Sequence, residues 1–267
     1  MEGKILMSRK QKPKKNNKKI FIYMIIYGVL FAMLIYSGIN IFIWYKDNKN
    51  NKELAQQINS AVRVQEDENN EKEYEIDFSK LKEQNSDTVA WVGLESLNIE
   101  YPIVQTKDNE YYLEHSFDKS ENTAGWIFAD YRNKLDGKDK NLVVYGHNRK
   151  DGSMFGDLHK ALNSDWYDNE NNRKIVFITE NEKSTYQIFS IYEIKKESYY
   201  INTDFSNTKQ FEKFINTIKY RSIKDFNVDV SKDDTILTLS TCSDKKKYRV
   251  VVHAKKIIEG GIKNEKL

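Results

Sequence analysis

The 267-residue chain has one cysteine, Cys242, so no internal disulfide can form. A lone thiol leaves three readings: a nucleophile, a small buried core residue, or a partner for a disulfide with another molecule. Charge is missing from Ile20 to Tyr45 (IFIYMIIYGVLFAMLIYSGINIFIWY), which excludes a solvated segment there. Glycine and proline are missing from the polar stretch Lys46 to Glu75. An excess of base is also missing once the N-terminal tail is set apart. The tail carries Lys4, Arg9, Lys10, Lys12, Lys14, Lys15, Lys18 and Lys19 against Glu2, and the rest of the chain is mildly acidic. No nucleic-acid footprint remains.

The uncharged run reaches about 39 Å as a helix at 1.5 Å per residue, enough to cross a hydrocarbon layer of about 30 Å. Tyr23, Tyr27, Trp44 and Tyr45 lie towards its ends, as interfacial aromatics do. A cleaved signal peptide would have a shorter apolar region followed by a small-residue site, and no such site is evident beyond Ile43. The basic tail predicts a cytoplasmic N-terminus, a single-pass anchor in the cell membrane and an extracellular remainder. The expected divisions are residues 1–19 as cytoplasmic tail, 20–45 as transmembrane anchor, 46–76 as stalk or N-terminal helix, and 77–267 as a compact exported domain. Leu54, Ile58, Ala61 and Val62 recur at helical spacing in the third.

The last part reads as strand. Val89 to Leu94, Leu97 to Val104, Gly125 to Ala129, Leu142 to Tyr145, Lys174 to Thr179, Thr185 to Ile194, Thr235 to Cys242 and Tyr248 to Ile258 are rich in β-branched and aromatic residues. Turn signals such as Asp136-Gly137 and Asp151-Gly152 separate some of them, which fits an antiparallel barrel or sandwich. Met154 to Leu162 reads as a short helix. Asn207 to Tyr220 carries Phe211, Phe214, Ile215 and Ile218 at helical spacing and predicts an amphipathic helix inserted between two strands.

A thiol works as a nucleophile when a base or cation raises its thiolate fraction. His115 and His159 are most simply surface or packing residues. His253 shares a strand face with Arg249 and Val251, so it either enters a site or lines the sheet. His147 ends the apolar strand Leu142-Val143-Val144-Tyr145 through Gly146 and opens a polar loop, where functional residues gather. Arg249 begins the strand after Cys242. A hairpin would set the two opposite each other, with the guanidinium placed to stabilise an oxyanion; the alternative is that Arg249 only flanks a lysine-rich turn.

Thr238-Leu239-Ser240-Thr241-Cys242 with Arg249, and Val144-Tyr145-Gly146-His147-Asn148 upstream, resemble the signature of the sortases, cysteine transpeptidases of Gram-positive bacteria, and of class B in particular. Trp91-Val92, Ile99 to Gln105, Asp108 to Leu113, Ile127 to Asn133 and Asp151 to Phe155 continue the likeness, which covers about Phe78 to Ile258. The helix Asn207 to Tyr220 resembles the extra helix of class B.

The resemblance implies a mainly β fold, an eight-stranded sortase-type barrel with short helices. It implies Cys242 as nucleophile, His147 as general acid/base and Arg249 as oxyanion or positioning residue, with Leu239, Ser240 and Thr241 lining the substrate groove. It implies no metal and no cofactor. The partners it implies are exported proteins bearing a C-terminal sorting signal, cleaved after threonine through a thioacyl enzyme, and a peptidoglycan-precursor amine that accepts the acyl group. The interval from Cys242 to Arg249 is shorter than the family often has, which bears on the shape of that side of the groove. Pilin polymerisation and thiol hydrolysis are alternatives on the same fold. A membrane-tethered binding protein with a structural cysteine is the alternative from another class.

Overall fold

The computed structural model describes residues 17–66, 72–195, 197–242 and 248–261. The chain forms two units, Met1–Lys46 and Asp47–Leu267. The basic tail falls largely outside the described residues, as do positions 243–247 of the loop between Cys242 and Arg249.

The first unit is helical. Helix α1 (Asn17–Ile58) takes in the whole uncharged run and continues beyond it. Among the described residues it is the one helix long and apolar enough to cross a membrane, and its apolar side chains from Ile20 to Tyr45 are exposed.

The second unit starts at Asp47. Within residues 46–76, expected as a stalk or N-terminal helix, Ile58, Ala61 and Tyr74 are buried with the main core. After α1 the chain forms a hairpin, β1 (Val62–Glu66) and β2 (Lys72–Ile76), paired antiparallel and separate from the main sheet. Gly93 makes room for it: a Cβ there would sit 3.3 Å from the Tyr74 ring, whose hydroxyl donates to Glu100 Oε1 at 2.6 Å. Helix α2 (Phe78–Gln84) follows, capped by Asp77, whose side chain accepts from the Lys80 N–H.

Eight strands then close a barrel: β3 (Thr88–Leu94), β4 (Ile99–Val104), β5 (Phe128–Ala129), β6 (Asn141–His147), β7 (Lys174–Ile178), β8 (Glu182–Lys195), β9 (Ile236–Cys242) and β10 (Tyr248–Gly261). Their order around the wall is β10-β8-β7-β3-β4-β5-β6-β9. The barrel is mixed, not wholly antiparallel, because β4 runs parallel to β5 and β6 parallel to β9. Strands covered on both faces need apolar residues without alternation; β6 is buried at every position except His147.

The interior holds Trp91, Val92, Trp126, Val143, Phe155, Leu237 and Leu239. The expected helix at Met154 to Leu162 is a 3-10 segment, Gly156–Leu162, followed by the short helix α3 (Ser164–Tyr167). The inserted helix is α4 (Thr208–Arg221), capped by the Asn207 side chain. Its face of Phe211, Phe214, Ile215 and Ile218 forms a second apolar cluster with Phe189, Tyr192 and Ile194 of β8. Burying each of these side chains stabilises the chain by about 1.5–3 kcal/mol.

Candidate active site

The parallel pair β6 and β9 brings two distant segments to a common end. Their register runs from Asn141 opposite Ile236 to His147 opposite Cys242. On the other side of β9, antiparallel β10 sets Val251 opposite Ser240, where the paired register ends, and Arg249 precedes Val251 by two residues on β10. Arg249 in turn faces Ile194 of β8. With neighbouring strands about 4.8 Å apart, the backbones of His147 and Cys242 stand side by side at the shared end of β6 and β9. The closed barrel thus brings two of the three expected catalytic positions, His147 and Cys242, together, with Arg249 near the start of the strand that pairs with β9 on its other side.

His147 is half-buried, and its Nε2 lies 2.8 Å from the Leu113 carbonyl oxygen. A carbonyl only accepts, so Nε2 donates; in the neutral ring Nδ1 is then the unprotonated nitrogen. Gly125 closes against the ring from below. It adopts φ +58, and a Cβ there would meet His147 Cδ2 and the Leu113 oxygen, both at 2.8 Å. Gly146 is needed one residue before the histidine, because a Cβ would come within 2.7 Å of the buried Phe155 ring. The His147 carbonyl accepts from the N–H groups of both Arg149 and Phe155 at 3.1 Å, which turns the chain back after the strand. Burial pushes the Arg149 guanidinium below its ordinary pKa, with Asp151 and Asp47 opposing.

The groove residues expected beside the thiol have structural partners. Leu239, Ser240 and Thr241 are buried. Leu239 packs in the main core, Ser240 Oγ lies 3.2 Å from the Tyr200 hydroxyl, and Thr241 Oγ1 accepts from the Val250 N–H at 2.9 Å. They tie β9 to its neighbours.

His253 lines the sheet away from this row. It is fully buried, and its ring bridges Thr238 Oγ1 at Nδ1 and the Tyr192 hydroxyl at Nε2, both 2.8 Å. Thr238 donates onward to Asn141 Oδ1 at 2.6 Å, so Nδ1 carries the hydrogen and Tyr192 donates to Nε2. Burial pushes its pKa down to about 3. His115 stacks on Tyr111 with ring centroids 3.9 Å apart, and His159 bonds the Gly156 carbonyl at 2.6 Å. His115 is a half-buried packing residue and His159 an exposed one, in keeping with the surface or packing roles expected of them. The residues that sequence reasoning missed are Leu113, which acts through a backbone oxygen and leaves no residue-type signal, and Gly125, which the sequence places inside a strand.

A mixed eight-stranded barrel with a cysteine, a histidine and an arginine at neighbouring strand ends defines a thiol acyl-transfer fold. The sortase-domain family profile matches residues 92–257. Sortase B of Listeria monocytogenes is 36% identical over 233 residues, 85% of this chain and 93% of that protein. Sortase B of Bacillus anthracis in complex with AAEK1 superposes with a TM-score of 0.69 at 34% identity, covering 80% of this chain and 99% of that one. A sortase B–substrate complex from Staphylococcus aureus does so with a TM-score of 0.67 at 31% identity, covering 80% and 97%. The chain belongs to the sortase family and is a cysteine transpeptidase of the sortase B type.

Proposed function

We propose that this protein is a membrane-anchored transpeptidase that cuts an exported protein's C-terminal sorting signal after threonine and joins the new end to a peptidoglycan-precursor amine. The register that sets His147 opposite Cys242 carries the reading.

In the first half-reaction the Cys242 thiolate attacks the threonine carbonyl. Negative charge builds on the carbonyl oxygen, and the Arg249 guanidinium stabilises it. The C–N bond breaks as His147, in its imidazolium form, gives the Nδ1 proton to the departing amine. The thioacyl enzyme remains, with His147 neutral and its Nε2 hydrogen still on the Leu113 carbonyl. In the second half-reaction the incoming amine loses a proton to Nδ1 and attacks the thioester carbonyl. The C–S bond breaks, an amide forms, and thiolate and imidazolium return. One nitrogen serves both steps because the other is engaged at 2.8 Å.

Leu239, Ser240 and Thr241 support the groove from behind: Leu239 packs in the core, while Ser240 and Thr241 fix the end of β9 through Tyr200 and Val250. The uncharged run Ile20 to Tyr45 is the anchor, and the basic residues before it keep the N-terminus in the cytoplasm. An anchored enzyme meets membrane-associated substrates at a raised effective concentration.

The full-length chain in detergent micelles, given a peptide library of threonine-containing signals and a soluble amine, tests this reading. Amide product is expected from the wild type and not from Cys242→Ala or His147→Ala. Near-wild-type turnover by either variant contradicts it, and release of free acid alone in the presence of amine favours hydrolysis instead.

A further inference from the structure

Asp47, Asn48 and Asn51 follow the apolar run on helix α1 and share one of its faces. All three are buried, although their side chains are polar. Each has a partner near the candidate site. Asp47 Oδ2 accepts from the Thr123 N–H at 3.0 Å and from its hydroxyl at 2.7 Å. Asn51 Oδ1 accepts from Asn122 Nδ2 at 2.8 Å, and its own Nδ2 donates to the Gly125 carbonyl at 3.4 Å. Asn48 Oδ1 accepts from the Arg149 guanidinium, which also donates to the Thr123 carbonyl at 3.4 Å.

The two segments held in this way are those that flank His147. Gly125 lies under the imidazole and against the Leu113 oxygen that the ring bonds. The next residue, Trp126, donates its backbone N–H to the Tyr112 carbonyl at 2.9 Å, so residues 122–126 move with the segment that supplies that oxygen. Arg149 is bonded through its backbone to the His147 carbonyl. The apolar docking of α1 comes later, at Leu54 and Ile58. Polar contacts to the site and apolar contacts to the core are therefore made by different turns of the helix.

We propose that Asp47, Asn48 and Asn51 are positioning residues for the transpeptidation step: through residues 122–125 and Arg149 they fix the His147 ring against the Leu113 carbonyl. The assignment rests on His147 as the acid/base. It makes the turn that leaves the apolar run part of the catalytic apparatus. A displacement of a few tenths of an ångström at Gly125 passes directly to the imidazole, because no gap separates them.

The test uses the full-length chain in detergent micelles and reads kcat, KM, the pH dependence of kcat/KM and thermal stability. Asp47→Ala and Asn51→Ala are expected to lower kcat about five- to tenfold, leave KM within about twofold, and change the pH profile of kcat/KM. Asp47→Asn keeps an acceptor for Thr123 and is expected to recover most of the rate. Thr123 is exposed, so Thr123→Val removes the same hydroxyl contact without touching the helix and is expected to reproduce part of the loss, even if the buried variants unfold. An unchanged kcat and pH profile in Thr123→Val and the alanine variants, or a rate loss that only follows the unfolded fraction, overturns the proposal. Activity retained in His147→Ala would instead overturn the acid/base reading beneath it.

Discussion

His147 and Cys242 stand opposite each other at the shared end of two parallel strands, β6 and β9. Parallel neighbours end at the same level, so a single register fixes the relation between the two residues, although 94 residues separate them in the chain. Arg249 lies near the start of β10, the antiparallel neighbour of β9 on the other side.

Gly125→Ala tests the floor beneath the histidine. Its φ of +58 and the contacts of 2.6–2.8 Å that a Cβ would make with Tyr112, Leu113 and His147 leave no room for a methyl group. Turnover is expected to fall about 10²-fold, with a stability loss of about 1–3 kcal/mol. Steady-state kinetics beside denaturant unfolding separates the two effects, and a variant with full kcat would show that the ring is held elsewhere.

Arg249→Lys keeps the charge and loses the planar fork. Its kcat/KM is expected to fall about 10- to 100-fold, with the thermal midpoint within a few degrees of wild type. Equal activity would assign Arg249 to bulk electrostatics.

The buried His253 gives the chain a pH-dependent stability unrelated to turnover. Its folded pKa is about 3, and the unfolded chain takes up a proton near 6.5. Above the unfolded value neither state is protonated there. As pH falls from 6.5 towards 3 only the unfolded state gains the proton, so stability declines on acidification. Between pH 7 and 4.5 this amounts to about 2–3 kcal/mol. His253→Gln is expected to be less stable at pH 7 and flatter across that window; denaturant midpoints at a series of pH values check it. An equal slope in the variant would place the acid sensitivity in other groups.

The barrel strands were legible because covered strands must be written in Val, Ile, Leu and aromatic residues, as in Leu142 to Tyr145 and Ile236 to Leu239. The hairpin Val62–Glu66 with Lys72–Ile76 was not, since its sequences VRVQE and KEYEI are charged and only Tyr74 reports burial. The parallel pairing of β6 with β9 also escaped reading, because short-range periodicity carries no information about which distant strands close a barrel. At the site, Cys242, His147 and Arg249 stood out by residue type and by likeness to a family. The Leu113 carbonyl and the grip of Asp47 and Asn51 on residues 122–125 did not, because a backbone oxygen has no identity and a polar turn after an apolar run looks solvated until it is seen packed.

Acyl transfer through Cys242 leaves a covalent thioester, which intact-protein mass spectrometry reads as added mass. The full-length chain, mixed with a cleavable threonine-bearing peptide without amine, is expected to gain the mass of the acyl fragment. The adduct should map to the peptide containing Cys242, and adding amine should discharge it to an equal amount of amide product. Amide formation with no adduct on Cys242, or an adduct that amine does not discharge, would contradict the account.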